Sequence, residues 1–188
     1  MTDALANRTQ LPDALRVLLE DYPRAGWEAD PGFDPLTRFW LDRHLMFRKM
    51  LDEMRKQADQ LLDRKEDPDR FRAATSRYGS MFVNGLHEHH SIEDQYYFPK
   101  LSGHDPRLLR GFEILDKDHH ALDAYLASLV DSANVVLAPI EDRDVMQDKV
   151  GLYRADLVSL EKLLNRHLVD EEELVVPIIL RYGAPATE

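Results

Sequence analysis

The sequence predicts an all-α protein, an up-down-up-down four-helix bundle preceded by a short helical extension. Helix start signals recur along the chain, and each one opens about 30 residues in which apolar positions follow a helical period. Only short links join these segments, so consecutive helices are expected to be antiparallel. No part of the sequence shows convincing alternation of the kind that a β-strand would have.

The first 34 residues are predicted to be an extension that precedes the bundle, because proline and glycine cluster there. One short helix is expected within it, around residues 13–19. The sequence leaves open whether this extension packs across an end of the bundle or mediates dimerisation.

The four long helices are predicted from their starts. Aspartate as the N-cap followed by proline at the first helical position is a strong start signal. It occurs at Asp34-Pro35, Asp67-Pro68 and Asp105-Pro106, and a fourth start lies near residues 139–142. The helices are therefore predicted at 35–64, 68–98, 106–136 and 141–181, within one domain of residues 35–182.

Composition narrows the class of function. The chain has 188 residues, no cysteine and a formal net charge of −11. The absence of cysteine excludes thiolate ligands and iron–sulfur clusters, and the negative charge argues against a nucleic-acid binder. The N-terminus lacks the features of a signal peptide, and no apolar run is long enough to span a membrane. We therefore expect a cytoplasmic protein without a membrane or nucleic-acid partner.

One motif occurs twice. Each copy has a histidine, a glutamate four residues later and a proline ten residues after the histidine; the copies are His89, Glu93 and Pro99, and His167, Glu171 and Pro177. Residues four apart lie on the same face of a helix. Each copy thus places a nitrogen beside a carboxylate oxygen, which is half of a metal site. Two copies suggest a dinuclear site.

Four histidines are predicted to face the core of the bundle, one on each long helix, because each interrupts an apolar stripe: His44, His89, His119 and His167. His120 and His87 have polar neighbours and are expected to be solvated, whereas His104 lies in a loop.

A buried network of histidine, glutamate and arginine is the alternative to a metal, with Arg48 or Arg166 as the cation. Burial of Glu93 and Glu171 among apolar residues is costly without a cation. Four inward histidines, one per helix, favour a metal centre over that network. Histidine and carboxylate ligands suit iron, manganese or zinc, and two linked half-sites favour two iron ions.

The chain resembles the hemerythrin-like, or HHE cation-binding, family. The resemblance covers roughly residues 35–182 and depends on the doubled motif with its trailing proline, together with His44 and His119. The ferritin-like di-iron class has Glu-x-x-His instead, which this chain lacks.

The resemblance implies a four-helix bundle with two iron ions bridged by carboxylates and by an oxo or hydroxo group. His44, His89 and Glu93 would serve largely one iron, and His119, His167 and Glu171 the other, with Glu93 and Glu171 as the bridges. Iron-sensing members have a glutamate directly after the first histidine of the motif. This chain has His90 there, which makes His90 a candidate for a further ligand. Oxygen-carrying members have a histidine in place of Asp123, and the carboxylate argues against reversible oxygen carriage.

Three functions stay open at this stage. The first is a di-iron protein that binds or senses O2, NO, peroxide or iron, with a homodimer partner or a signalling partner. The second is a di-iron oxidase or peroxide-consuming enzyme. The third is a metal-free helical interaction module.

Most of the acidic and aromatic residues near the motifs are predicted to have structural or solvated positions and not to bind the metal. In the acidic run from Asp170 to Glu173, only Glu171 is expected to face the metal, and the other carboxylates are expected to form a solvated face. Tyr96 and Tyr97 are expected to be core aromatic residues.

Overall fold

The structure, a computed structural model, describes residues 3–185. Within this range the chain forms helices and connecting turns, with no β-strand. The predicted all-α class is therefore confirmed. The up-down-up-down arrangement of the long helices and the domain boundary at residue 34 stay predictions.

The α-helices of the described range are α1 Val17–Asp21, α2 Pro35–Leu62, α3 Pro68–Ile92, α4 Phe98–Ser102, α5 Leu109–Leu137 and α6 Arg143–Tyr182. A π-helix, Glu93–Tyr97, joins α3 to α4. Short 3-10 helices lie at Leu5–Asn7, Asp13–Leu15, Arg24–Ala29 and Pro106–Leu108. The short helix expected around residues 13–19 is thus divided into a 3-10 turn and α1.

Aspartates cap the long helices at the predicted places. Asp34 accepts the backbone N–H of Thr37 at 2.8 Å, and Asp67 and Asp142 accept N–H groups at the starts of α3 and α6. These bonds satisfy N–H groups that have no partner within the helix. Asp105 caps the 3-10 turn that precedes α5, so this helix begins three residues later than predicted.

The predicted helix 68–98 is wrong in one respect, because a π-helix interrupts it at Glu93–Tyr97. Pro99 explains the interruption: it has no N–H for the carbonyl four residues earlier. The N–H of Phe98 instead donates to the carbonyl of Glu93, five residues back. Such π-bulges are frequent at functional sites, and this one begins at a predicted site residue.

The chain divides into two compact units. The first comprises Met1–Leu45, His89–His120 and Asn165–Glu188, and the second comprises Met46–Glu88 and Ala121–Leu164. All seven predicted site residues fall in the first unit.

The first unit has a buried apolar core to which the N-terminal residues contribute. Leu11, Leu15 and Leu18 are buried in one cluster with Leu174 and Ile178 of α6. A smaller cluster contains Trp27 from the N-terminal residues, with Val176 and Leu180 of α6. Burial of a leucine side chain stabilises the fold by about 1.5–3 kcal/mol, so residues 11–27 are an integral part of this unit.

The second unit is held by aromatic packing. Phe47 and Phe82 meet edge to face with ring centroids 6.1 Å apart, and Phe71 meets Tyr153 in the same way at 6.2 Å. All four side chains are almost completely buried. In the described range, 3–185, no helix is both long enough and apolar enough to cross a lipid bilayer.

We expect Gly32→Ala to destabilise the protein, because a Cβ atom at this position would lie 2.7 Å from the backbone carbonyl oxygen of Leu180 in α6. A backbone atom cannot rotate away, so relief of the overlap requires a shift of the chain, at a cost of about 1–3 kcal/mol. Gly26→Ala is the matched control, since no atom lies within 4 Å of its added Cβ. Urea denaturation of the two variants should show a lower midpoint for Gly32→Ala alone. Equal midpoints would contradict the close approach.

Candidate metal centre

The seven predicted site residues form two groups of potential donor atoms. The first group is His44, His89, Glu93 and Glu171, and the second is His90, His119 and His167. Within each group, one donor atom from each residue lies within 4.8 Å of the others. The side chains are buried, the most exposed being His89 at 10%.

The spacing in the first group suits a single cation. His44 Nε2 lies 3.0 Å from His89 Nε2 and 3.4 Å from Glu171 Oε1. His89 Nε2 lies 3.0 Å from Glu93 Oε1. A cation bound by nitrogen at about 2.0–2.1 Å holds neighbouring ligand atoms about 2.8–3.4 Å apart. These donors thus have the separation of ligands around one ion.

The two glutamates link the groups. Besides the contact of its Oε1 with His89, Glu93 has Oε2 3.6 Å from His119 Nε2. Glu171 has Oε1 near His44 and Oε2 3.5 Å from His167 Nε2. Each carboxylate therefore directs one oxygen toward each group. The family resemblance implies that Glu171 serves largely the half with His119 and His167 and also bridges the two halves, and its oxygens do lie at similar distances from a histidine of each group.

Several buried atoms of these residues have no hydrogen-bond partner. They are both ring nitrogens of His90, both carboxylate oxygens of Glu93, Nε2 of His119 and of His167, and Oε2 of Glu171. The close approaches of Glu93 to His89 and to His119 therefore lack hydrogen-bond alignment, as does that of Glu171 Oε2 to His167. His44 Nε2 and His89 Nε2, by contrast, are in hydrogen-bond geometry. Buried polar atoms are costly unless they are satisfied, and nearly all such atoms in proteins are. Cations between the two groups would satisfy this set, so the residues fit a metal.

The histidine side chains are electrostatically suited to metal binding. Burial lowers the pKa of His89 to about 3 and that of His90 well below its ordinary value. Burial also lowers the pKa of His167. These imidazoles are neutral near pH 7, and neutral imidazole is the form that binds a metal. His44 differs, because Glu171 and Glu172 outweigh the effect of burial and raise its pKa.

The two glutamates have opposite pKa shifts. Burial raises the pKa of Glu93 well above its ordinary value, and the neighbouring Glu171 carboxylate raises it further. Burial opposes ionisation of Glu171 too, but His44, His89 and His167 outweigh it and hold the pKa of Glu171 well below its ordinary value. The raised pKa values of Glu93 and His44 favour proton uptake by both groups when no metal is bound, which would partly neutralise the cluster.

In three of the site histidines a carboxylate contacts Nδ1, the ring nitrogen on the side away from the donor groups. His44 Nδ1 lies 3.0 Å from Glu172 Oε1, and His119 Nδ1 lies 2.8 Å from Asp94 Oδ1. His167 Nδ1 lies 3.4 Å from Asp118 Oδ2. Such contacts fix the ring orientation and leave Nε2 toward the site, as is usual for metal-binding histidines.

Sequence reasoning missed most of these supporting residues. Asp94, Asp118 and Glu172 each contact a histidine on a different helix, so no spacing within one helix could reveal them. Trp40 donates its indole N–H to Glu171 Oε1. A buried indole needs such an acceptor, and Trp40 shares a helix face with His44, so this contact had a signal in the sequence.

The prediction of a solvated face for the acidic run was wrong. Asp170 is fully buried and Glu172 is 3% exposed. Asp170 accepts the backbone N–H of Leu11 at 3.0 Å, and Arg166 bonds to Asp170 at 2.6 Å. Arg166, one of the cations considered for the glutamates, thus pairs with a neighbouring carboxylate. The N-terminal residues cover this side of α6.

The remaining polar candidates lie outside the two groups. His87 and His120 are exposed, as predicted, and His104 is exposed as well. Asp123 is also exposed and is absent from both groups.

The comparison with protein families gave a match over most of the chain. The family model described as the hemerythrin HHE cation binding domain matches residues 36–179, which is most of the chain. No curated protein and no solved structure matched. The matched range includes all seven clustered residues and both copies of the doubled motif. The resemblance predicted from the motif is confirmed: the chain belongs to the hemerythrin HHE cation-binding family.

Proposed function

We propose that the protein holds a non-heme di-iron centre. The ligands would come from the two donor groups: His44, His89, His90, Glu93, His119, His167 and Glu171. The observation that supports this most strongly is the pair of glutamates, each with one oxygen near a histidine of each group. A single isolated site would have no need of two such linking carboxylates.

The donor chemistry favours iron among the candidate metals. Imidazole and carboxylate are ligands of iron, manganese and zinc, and the chain offers no thiolate. Zinc in structural sites prefers one closed tetrahedron, whereas seven donors in two linked groups suit a pair of metals with higher coordination. Zinc and manganese remain outcomes of the metal analysis below.

The centre would bind or sense O2, NO, peroxide or the supply of iron. Bound iron would supply a change of redox state and an open coordination position for such a ligand. The protein residues contribute burial, neutral imidazoles and fixed ring orientations, which together hold the donors ready and keep bulk water away. We propose that this function takes place in the cytoplasm. A second copy of the chain, in a homodimer, or a separate signalling protein would be the partner through which the sensor acts.

A surface cleft favours a second function, a di-iron oxidase or peroxide-consuming enzyme. The cleft has a volume of about 320 Å³, and Asp94, Phe98 and Lys117 contribute to its lining. Asp94 also bonds to His119 of the second donor group, and Phe98 stacks on the same ring at 5.5 Å. A small reactant in the cleft would thus lie close to the centre. Steady consumption of peroxide or O2 by the iron-loaded protein would favour the enzyme over the sensor.

Metal content per chain, with absorption spectra in air and after reduction, tests the proposal. We expect close to two irons per chain and near-ultraviolet charge-transfer bands that weaken on reduction. One zinc ion would contradict the di-iron centre and would make the paired motif a structural site. The absence of stoichiometric metal would also contradict the di-iron centre and would favour a metal-free interaction module.

We expect Glu93→Ala and Glu171→Ala to reduce the metal content far more than His104→Ala and His120→Ala. The glutamates link the two donor groups, whereas the two control histidines are exposed and lie outside them. Metal analysis after identical loading measures the difference, and circular dichroism verifies the helical content of each variant. Equal losses in all four variants would show that the assigned residues are not ligands.

We also expect the cation to displace a proton from Glu93. At pH 5.5 an ordinary glutamate is about nine-tenths ionised. Because burial raises the pKa of Glu93 well above its ordinary value, we expect this group to be largely protonated at that pH in the metal-free protein. Infrared spectra should show a protonated-carboxyl band that is absent from Glu93→Gln. Ferrous iron added without air should remove the band, because a carboxylate ligand must be deprotonated. A band that persists at full metal loading would contradict coordination by Glu93.

A further inference from the structure

Two of the carboxylates behind the site histidines are themselves bound by arginines that precede α2. Arg8 binds Asp118, the carboxylate at His167 Nδ1. Arg24 binds Glu172, the carboxylate at His44 Nδ1, at 2.7 Å. The same arrangement of arginine, carboxylate and histidine therefore occurs once at each donor group.

Arg8 is the more deeply buried of the two arginines, with its side chain 4% exposed. Both terminal nitrogens of its guanidinium bond to Asp118, and Nη1 also bonds to the carbonyl oxygen of Asp3 at 2.6 Å. Its Nε bonds to Asp170 at 2.8 Å. A forked guanidinium between two carboxylates fixes both in place, which a point charge could not do equally well.

The backbone next to Arg8 is anchored as well, in the N-terminal segment that precedes α2. Leu11 donates its backbone N–H to Asp170, and Arg166 of α6 bonds to the carbonyl oxygen of Thr9. Leu11 itself is fully buried. Contacts at Thr9 and Leu11 thus hold the backbone that directly follows Arg8, so the position from which Arg8 reaches Asp118 is set by the fold.

Arg24 has a weaker hold because its side chain is 47% exposed. Its guanidinium lies over the Trp27 ring, 4.6 Å from the ring centroid, and Trp27 is buried. This stacking directs the guanidinium toward Glu172. Solvent screening makes the effect of Arg24 smaller than that of Arg8.

We propose that Arg8 and Arg24 are positioning residues of the metal centre. Each holds a carboxylate in the orientation that fixes Nδ1 of a site histidine and leaves Nε2 free for the metal. The residues before α2 thereby form the outer layer of the centre. Only the ligand role of His44 and His167 in this inference depends on the proposed function.

Arg8→Met tests the first arrangement, with Arg16→Met as the matched control. Arg16 also joins the N-terminal segment to α6, through Glu173 at 3.1 Å, but it is partly exposed. Arg8→Lys keeps the charge and loses the forked geometry. Arg24→Met tests the second arrangement. Because Arg24 is partly exposed, this variant should fold, and it therefore keeps the test decisive if Arg8→Met does not fold.

The first measurement uses the metal-free protein at pH 7.5. Nitrogen-15 NMR of the imidazole rings should show that His167 in the unaltered protein is protonated at Nδ1 in one fixed form. Arg8→Met should give mixed forms of His167 and leave His44 unchanged. Arg24→Met should give mixed forms of the His44 ring and leave His167 unchanged. Arg16→Met should alter neither ring.

The second measurement is the affinity for ferrous iron added without air. Loss of support behind a ligating histidine lowers metal affinity about 10–100-fold, which we expect for Arg8→Met. Arg8→Lys should recover part of this loss. Arg24→Met should lower affinity about two- to fivefold because of its exposure. The Arg16→Met control should bind as the unaltered protein does.

Two results would overturn the inference. One is an unchanged His167 signal in folded Arg8→Met together with an unchanged His44 signal in Arg24→Met. The other is an equal loss of affinity in Arg8→Met and Arg16→Met. Failure of the unaltered protein to bind iron would instead contradict the proposed function, and the NMR result would still decide whether the arginines position the rings.

Discussion

The structure depends on a cluster of buried donor atoms that protein partners do not satisfy. Glu93 has two such oxygens and His90 two such nitrogens, and His119, His167 and Glu171 add one each. A fold that encloses this many unpaired polar atoms bears a large desolvation cost. Cations between the two donor groups would remove that cost, because each unpaired atom is a ligand of the type that iron binds. Metal binding at the proposed centre would thus be coupled to the stability of the first unit.

The residues around the cluster are arranged to keep its donors available. Trp40 holds Glu171, while Asp94, Asp118 and Glu172 contact Nδ1 of three histidines. The N-terminal segment then binds two of these carboxylates through arginine side chains. Two series of contacts therefore run from a site histidine to a carboxylate, and from that carboxylate to an arginine in the segment that precedes α2.

The sequence predicted the helices and the seven residues that cluster in the structure, because the signals for both follow the period of a helix. The aspartate caps, the spacing of His89 from Glu93 and the repeat at His167 are all local signals. The supporting carboxylates could not be predicted in this way, because each meets its histidine only after two helices have packed. The burial of Asp170 and Glu172 was missed for the same reason: the N-terminal segment that covers them lies more than 140 residues away in the sequence. The π-helix had a signal in Pro99, but a proline alone does not distinguish a kink from a bulge.

Anomalous X-ray diffraction at the iron absorption edge, from crystals of the iron-loaded protein, tests the central claim most directly. Two linked donor groups require two peaks of similar height, one beside His44 and His89 and the other beside His119 and His167, with Glu93 and Glu171 between them. A single peak, or peaks only at the protein surface, would contradict a dinuclear centre bridged by these glutamates.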